Sequence, residues 1–289
     1  MKNLTLRNIA RVCGGIYHGS GDNADTEAVK IITDSRMASP GCVFIPIVGE
    51  RADGHTFIPD VMKKGALGTL SERELPEADF PYVQVESSLQ ALKDIAEFYL
   101  QQVGIPVVGV TGSVGKTSTK EVIAAVLKEK YQVLKTQGNF NNEIGLPLTI
   151  FRITPEDEIA VLEMGINHFG EMTRLAKIAR PDTCVITNIG PCHLEFLGDR
   201  DGVLKAKTEI FQYMKENGHI ILNGDDDKLA TVGTPGGIQP VFFGLEDGNQ
   251  IYADEIESRG LKGMFCRIHT PQGNFRVWVP MPGRHMVYN

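Results

Sequence analysis

Paired cysteines, long apolar runs and an excess of positive charge are all missing from this sequence. Five cysteines, Cys13, Cys42, Cys184, Cys192 and Cys266, are scattered through 289 residues. None stands in Cys-x-x-Cys spacing and the number is odd. A disulfide framework and a cysteine zinc site are therefore excluded, and reduced thiols in a cytoplasmic protein are expected. The opening MKNLTLRNIARVCGG has no long apolar stretch of the signal-peptide kind. No apolar run approaches the roughly 20 residues of a membrane span. The formal net charge is −7, the wrong sign for a general binder of nucleic acid or anionic membrane, because phosphates call for a basic face. There is no internal repeat and no low-complexity tract. What remains is the composition of a soluble globular protein, long enough for one large or two ordinary domains.

Residues 1–85 read as a small α/β unit. FIPI (44–47) and YVQV (82–85) are strand-like, and FIPDVMKKGA (57–66) is a short helix ending in glycine. In SSLQALKDIAEFYLQQVG, Ser87 and Gln90 have capping-box spacing. Leu89, Leu92, Ile95, Ala96 and Tyr99 follow at helical intervals. The domain boundary is expected near this helix, which divides the chain into 1–85 and 86–289. Beyond it, apolar runs recur at VVGV (107–110), EIAVLEMG (158–165), TCVITNIG (183–190), HIILNGDD (219–226) and PVFFG (240–244), with helical patterns between the first four. Continuous apolar runs suit strands buried on both faces of a mostly parallel sheet. From Ile251 to Pro280, SRG and PQGN separate stretches such as FCRIHT and FRVWVP, which predict antiparallel hairpins. The fold class is therefore α/β: a small N-terminal α/β domain, then a mostly parallel sheet of the phosphate-loop type with an antiparallel hairpin appendage.

The most informative stretch is VVGVTGSVGKTSTKEVIAAVL (107–127). A strand meets Gly112-Ser113-Val114-Gly115-Lys116-Thr117-Ser118, and a helical pattern follows. Glycines let the backbone aim several N–H groups at one anion, the helix N-terminus adds its dipole, and the lysine adds a point charge. Lys116 is placed to meet the β- and γ-phosphates of a nucleotide, and the Thr117 hydroxyl to reach Mg²⁺. Gly-x-x-Gly-Lys-Ser/Thr arises by chance in roughly one chain of this size per hundred, and the strand before and helix after supply the context it needs. Yet the usual loop puts four residues between its first glycine and Gly-Lys, and Val110 stands where that glycine belongs. A GTPase-like switch is disfavoured by the short loop and by the lack of an Asn-Lys-x-Asp after a strand.

Other polar residues fall at strand ends, where α/β sheets gather ligands. Glu163 is either a hard oxygen ligand for Mg²⁺ or a solvated loop carboxylate. His193, shortly after another strand end, is a ligand or a structural histidine, and Mg²⁺ rarely takes imidazole. Lys205 and Lys207 in GVLKAKTEIF are compatible with two solvated lysines on an amphipathic helix. Asn223, in HIILNGDDD, can pair with an adenine edge or serve a turn.

Taken together, TGSVGKTSTKE, TQGNFNNEIGLPLT, LEMGINHFGEM, ITNIGPCHLEFLG, AKTEIF and LNGDD resemble the Mur ligase family, in the family's order. Upstream, TDSRMASPGCVFIPIVGERADGHTFI is similar to the N-terminal UDP-sugar-binding domain of the same ligases. The short loop is then the family's own version, used for ATP-driven ligation. NNEIGLP, EMG and HFGEM favour the member that adds D-Ala-D-Ala to UDP-MurNAc-tripeptide. The implied cofactors are ATP and Mg²⁺, and the implied reaction runs through an acyl phosphate. The resemblance implies that Lys116, Glu163, His193 and Lys207 form the catalytic set, with Thr117, Glu163, His193 and a carbamylated Lys207 on metal. It puts Asn223 on the adenine side and Asn139 and Asn142 in the loop that approaches the nucleotide. It puts Ser35 and Arg36 on the UDP-sugar side. A cytoplasmic monomer acting on small molecules, with no nucleic acid and no membrane insertion, is expected.

Departures are also visible. The family's third, C-terminal domain has no counterpart here, Met286 stands where many relatives have Asn, and Cys192 beside His193 is a less usual choice. The central domain thus reads as incomplete at its end, and the expectation is a chain that binds without turning over. A non-catalytic nucleotide- and UDP-sugar-binding module stays open as an alternative. So does a related ligase that adds a different amino acid, or a folylpolyglutamate-type synthetase.

Overall fold

Among the residues described by the computed structural model, 1–49 and 52–289, the chain sorts into two units. The first holds Met1–Ile105 and Glu143–Glu156, and the second holds Pro106–Asn142 and Asp157–Asn289. Residues 50–51 of the stretch TDSRMASPGCVFIPIVGERADGHTFI lie outside the described residues.

In the first unit, strands β1 (Ile16–His18), β2 (Lys30–Ile32), β3 (Cys42–Phe44), β4 (Gly68–Ser71) and β5 (Tyr82–Gln84) form one sheet, in the order β1-β5-β4-β3-β2. Only the β1–β5 pair is antiparallel among the described residues. The strand expected at 44–47 lies two residues earlier, since Pro46 has no N–H for a ladder. Helices α1 (Leu6–Val12), α2 (Ile58–Lys63) and α3 (Ser88–Val103) complete this part. Ile58 and Val61 of α2 pack with Ile32, Cys42 and Phe44 of the sheet.

The α3 helix starts where its cap predicts. Ser87 Oγ accepts the Gln90 N–H at 3.3 Å, but the Gln90 side chain turns to Asp94 at 2.8 Å, so one half of the capping box forms. Gly104 ends the helix at φ 73°, a left-handed position that glycine takes without penalty. The buried stripe is Ala91, Leu92, Ile95, Ala96, Tyr99 and Leu100. Leu89, expected in it, is 37% exposed.

The chain enters the second unit through β6 (Val107–Thr111), α4 (Lys116–Leu127) and β7 (Val133–Lys135). It rejoins the first unit over 143–156, where α5 spans Gly145–Ile150. Lys93 Nζ donates to Glu143 Oε1 at 3.1 Å, and the Tyr99 hydroxyl donates to the Ile153 carbonyl at 2.8 Å. These bonds and the apolar stripe of α3 explain why the helix and this segment group with the first unit. The sequence-based division at 85/86 is therefore displaced: the cut follows α3, at 105/106, and 143–156 lies on its near side.

The second unit continues with β8 (Ile159–Glu163), α6 (Glu171–Ala179), β9 (Thr183–Ile186), α7 (Leu194–Leu197), α8 (Arg200–Thr208), β10 (His219–Asn223), β11 (Val241–Gly244), β12 (Ile251–Ser258), β13 (Met264–Thr270) and β14 (Gly273–Val279). Among the described residues they form a nine-stranded sheet, ordered β14-β13-β12-β11-β10-β9-β6-β8-β7. It is parallel from β7 to β12 and antiparallel across β12–β13–β14. The expected α/β class and hairpin appendage are both present. Val108, Val110, Val161 and Val185 bury one face of the sheet against Ala124 of α4. No helix among the described residues is long and apolar enough to cross a membrane.

Candidate active site

Strand β6 lies between β8 and β9, so the loop that follows it has a neighbour on each side. Val110 is level with Glu163, and Thr111 with Ile186. The end of β8 therefore supplies a carboxylate on one flank, and Thr187 and Asn188, just past β9, take the other. Gly112 makes this closeness possible. A Cβ there would stand 1.9 Å from Thr187 Oγ1, and its φ of +145° is glycine territory.

Loop 112–115 is fastened to the β9 side by a set of hydrogen bonds. The Ser113 N–H donates to the Asn188 carbonyl at 3.0 Å, and the Val114 N–H to Asn188 Oδ1 at 3.0 Å. Asn188 Nδ2 and the Thr187 hydroxyl both donate to the Val114 carbonyl, at 2.9 and 2.6 Å. Ser113 Oγ accepts from the Gly190 N–H at 2.9 Å and from the Cys192 thiol at 3.1 Å. Gly115, at φ 86°, then turns the chain into α4. Among the described residues, the N–H groups of Gly115, Lys116, Thr117 and Ser118 have no acceptor. They are the orphan donors of a helix start, and with the dipole they form an anion seat. Lys116 Nζ folds over this seat onto the Gly112 carbonyl at 2.8 Å and the Ser113 carbonyl at 3.3 Å. Burial lowers its pKa, with Glu163 pulling the other way.

Glu163 is 2% exposed, and both of its carboxylate oxygens are held. Its Oε2 accepts from the Thr117 hydroxyl at 3.1 Å and lies 3.5 Å from Lys120 Nζ. Its Oε1 accepts from Asn141 Nδ2 at 2.8 Å, and its N–H donates to Thr136 Oγ1 at 3.0 Å. The sequence singled out Glu163 and Thr117, and the structure brings them together. It missed Asn141, Lys120 and Thr136. Asn141 lies between the chosen Asn139 and Asn142, both of which are exposed. Lys120 had a signal, since four residues after Lys116 it shares that helix face.

His193 opens α7 in a left-handed conformation, φ 52°, and is exposed. Its pKa is lowered by burial and then by the nearby charges of Lys207 and Lys116. Lys207 is not a solvated helix lysine, for it is 2% exposed on the inner face of α8. Burial brings its pKa down to about 8, with Lys116 pushing the same way. No carboxylate of the described residues pairs with it. Lys205, two residues earlier, stays exposed, its ammonium 5.7 Å from the Phe169 ring centroid. Asn223 ends β10, where its amide donates to the Thr187 carbonyl at 3.0 Å and accepts the Asp225 N–H at 3.0 Å. Half of its hydrogen-bonding capacity is thus spent within the protein. Ser35 and Arg36 belong to the first unit, in a single turn capped by Asp34. Hydrogen bonds from the Arg36 guanidinium hold Asp34 down to about 2.

Proteins with this strand, glycine loop and helix at a parallel sheet's centre form the phosphate-loop class of α/β folds. Within that class the chain belongs to the Mur ligase family, whose middle domain matches residues 110–289. The UDP-N-acetylmuramoyl-tripeptide–D-alanyl-D-alanine ligase of Bacillus subtilis (strain 168) is 38% identical over 287 residues, covering 99% of this chain. A crystal structure of MurF from Acinetobacter baumannii superposes with a TM-score of 0.89 over 98% of this chain, at 33% identity. The MurF ligase of Thermotoga maritima, solved in complex with ADP, gives a TM-score of 0.81 over 90% of this chain, at 34% identity. The chain spans 61%, 62% and 60% of the length of these three proteins.

Proposed function

We propose that this chain works in an ATP-dependent amide ligase that joins D-Ala-D-Ala to UDP-MurNAc-tripeptide in peptidoglycan precursor synthesis, as a monomer in the cytoplasm. The carrying observation is the anion seat of Gly115 to Ser118 under Lys116, set beside the buried carboxylate of Glu163. The relatives named above support the choice of substrates. In this reading the seat takes the nucleotide phosphates, with Gly112, Ser113 and Val114 forming the loop and Asn139, Asn142 and Asn223 around the nucleotide. Ser35 and Arg36, in the first unit, serve the UDP-sugar.

The residues present suit Mg²⁺. Glu163 and Thr117 offer two hard oxygens 3.1 Å apart, and Asn141 fixes the other carboxylate oxygen. Among the described residues no three acidic, histidine or cysteine side chains form a metal cage by themselves. Such a site suits an ion that takes its remaining ligands from phosphate and water. His193 and a carbamylated Lys207 would hold metal as well, and a buried lysine with a depressed pKa offers the neutral amine that carbamylation requires. Bound there, Mg²⁺ would offset charge on the transferring phosphoryl group.

The chain's own part is positional and electrostatic. The tripeptide's terminal carboxylate attacks the γ-phosphate, giving an acyl phosphate and ADP. Both reactants are anions that repel, and Lys116 with the loop N–H groups offsets that charge where it develops. The amine of D-Ala-D-Ala then displaces phosphate from the acyl carbon. The test is phosphate release from ATP by the complete polypeptide carrying this chain. Release that requires both the tripeptide and D-Ala-D-Ala, and is lost in Lys116→Ala, is expected. Release with only one of them would overturn the assignment.

A further inference from the structure

The link between β8 and α6 carries a histidine that neither the phosphate loop nor the fold requires. The Glu171 carboxylate accepts the N–H groups of Asn167 at 2.6 Å and His168 at 3.2 Å, and its other oxygen lies 3.1 Å from His168 Nδ1. Burial alone would raise Glu171, but these bonds outweigh it and its pKa is lowered. It is therefore a carboxylate, and it receives the Nδ1–H. In the neutral ring this contact puts the proton on Nδ1 and the lone pair on the accessible Nε2. The imidazole rests against Phe196, ring centroids 4.1 Å apart, and 52% of the side chain is exposed. The Phe196 N–H donates to the His193 carbonyl at 3.0 Å, so the ring is held beside the His193 turn. An accessible nitrogen, an imidazole and an orienting carboxylate make an oriented base.

We propose that His168 is the general base that takes the proton from the incoming amine. The inference rests on the amide-ligase reading above. An α-amino group with a pKa of about 8 is mostly ammonium at neutral pH and has no lone pair to attack with. His168 Nε2 takes one proton, the freed lone pair attacks the acyl carbon, and a tetrahedral intermediate forms. The C–O bond to phosphate breaks with its electron pair, and the second nitrogen proton leaves with the phosphate as the amide forms. The first proton passes from His168 to water. Other groups fit the role less well. Glu163 is closed off by Lys120, Thr117 and Asn141, Lys116 faces the loop carbonyls, and His193 and Lys207 are the proposed metal side.

The experiment uses the complete polypeptide, ATP, Mg²⁺ and UDP-MurNAc-tripeptide, with His168→Ala and His168→Gln. Two acceptors are compared: D-Ala-D-Ala, and hydroxylamine, which is already unprotonated at neutral pH and traps the acyl phosphate as a hydroxamate. We expect kcat for D-Ala-D-Ala to fall about 100- to 1,000-fold in both variants while its KM and hydroxamate formation change far less. Added imidazole should restore part of the His168→Ala rate. Equal losses with both acceptors, or unchanged ligation, would overturn the assignment of His168. If the unmodified polypeptide forms neither product, the ligase reading fails, and the base with it.

Discussion

Lys120 and Glu163 form an ion pair at 3.5 Å with almost no water around it, their side chains 1% and 3% exposed. Lys120 also reaches Glu121 at 3.3 Å, a residue half in solvent. The ammonium thus balances the carboxylate proposed to hold a cation. Removing one partner of a buried pair costs about 3–5 kcal/mol, because the other charge stays buried without it. Lys120→Met is expected to lose stability of that order in urea denaturation. Lys120→Met with Glu163→Gln should recover most of the loss.

Gly112→Ala is expected to cost about 2–4 kcal/mol from overpacking and an unfavourable backbone conformation. The clash falls on Thr187, which helps hold the loop. ATP affinity should fall with stability, read by calorimetry and thermal melting. Gly233, with open space where a Cβ would stand, should accept alanine with little change.

Asn141, though missed in the sequence, should matter more than its chosen neighbour Asn139. Its amide is held against Glu163 on one side and lies 3.0 Å from where a Gly165 Cβ would be. A hydrogen bond to a charged group is worth about 1.5–3 kcal/mol. Asn141→Ala should weaken Mg²⁺-dependent ATP binding at least tenfold by titration, and Asn139→Ala much less.

Lys207, with its charge buried and no carboxylate of the described residues paired with it, is expected to destabilise the fold. Its pKa is about 8 in the fold against an ordinary 10.5, so at pH 7 the folded state holds a buried ammonium at a cost. In bicarbonate-free buffer, Lys207→Met should raise stability by about 2 kcal/mol at pH 7. Between pH 8 and 10.5 the unfolded lysine still binds a proton that the folded one has lost, so wild-type stability rises with pH and the advantage shrinks. Urea midpoints measured across that window would check the sign.

Long, fully apolar runs could be read from the sequence, and so β6, β8, β9, β10 and β11 were each anticipated. Strands β1, β2, β4 and β7 are three or four residues long, too short for a period to register. The glycine loop was visible because its chemistry is local. Glu163 could only be weighed against a loop carboxylate, because its partners come from α4 and from the stretch after β7. Lys207 looked solvated because helix spacing does not show what lies over the inner face. The division of the chain was least legible, since 143–156 joins α3 through contacts distant in sequence.

The bonds that fasten 112–115 to the end of β9 are all made within the chain itself. A loop tied down in this way is expected to act as a mould, not as a flap that closes on its guest. An anion that enters has no chain to order, so little of its binding energy is lost to that entropy. The Ser113 and Val114 amides should exchange hydrogen slowly in the empty protein, while Gly115 to Ser118 exchange fast until phosphate arrives.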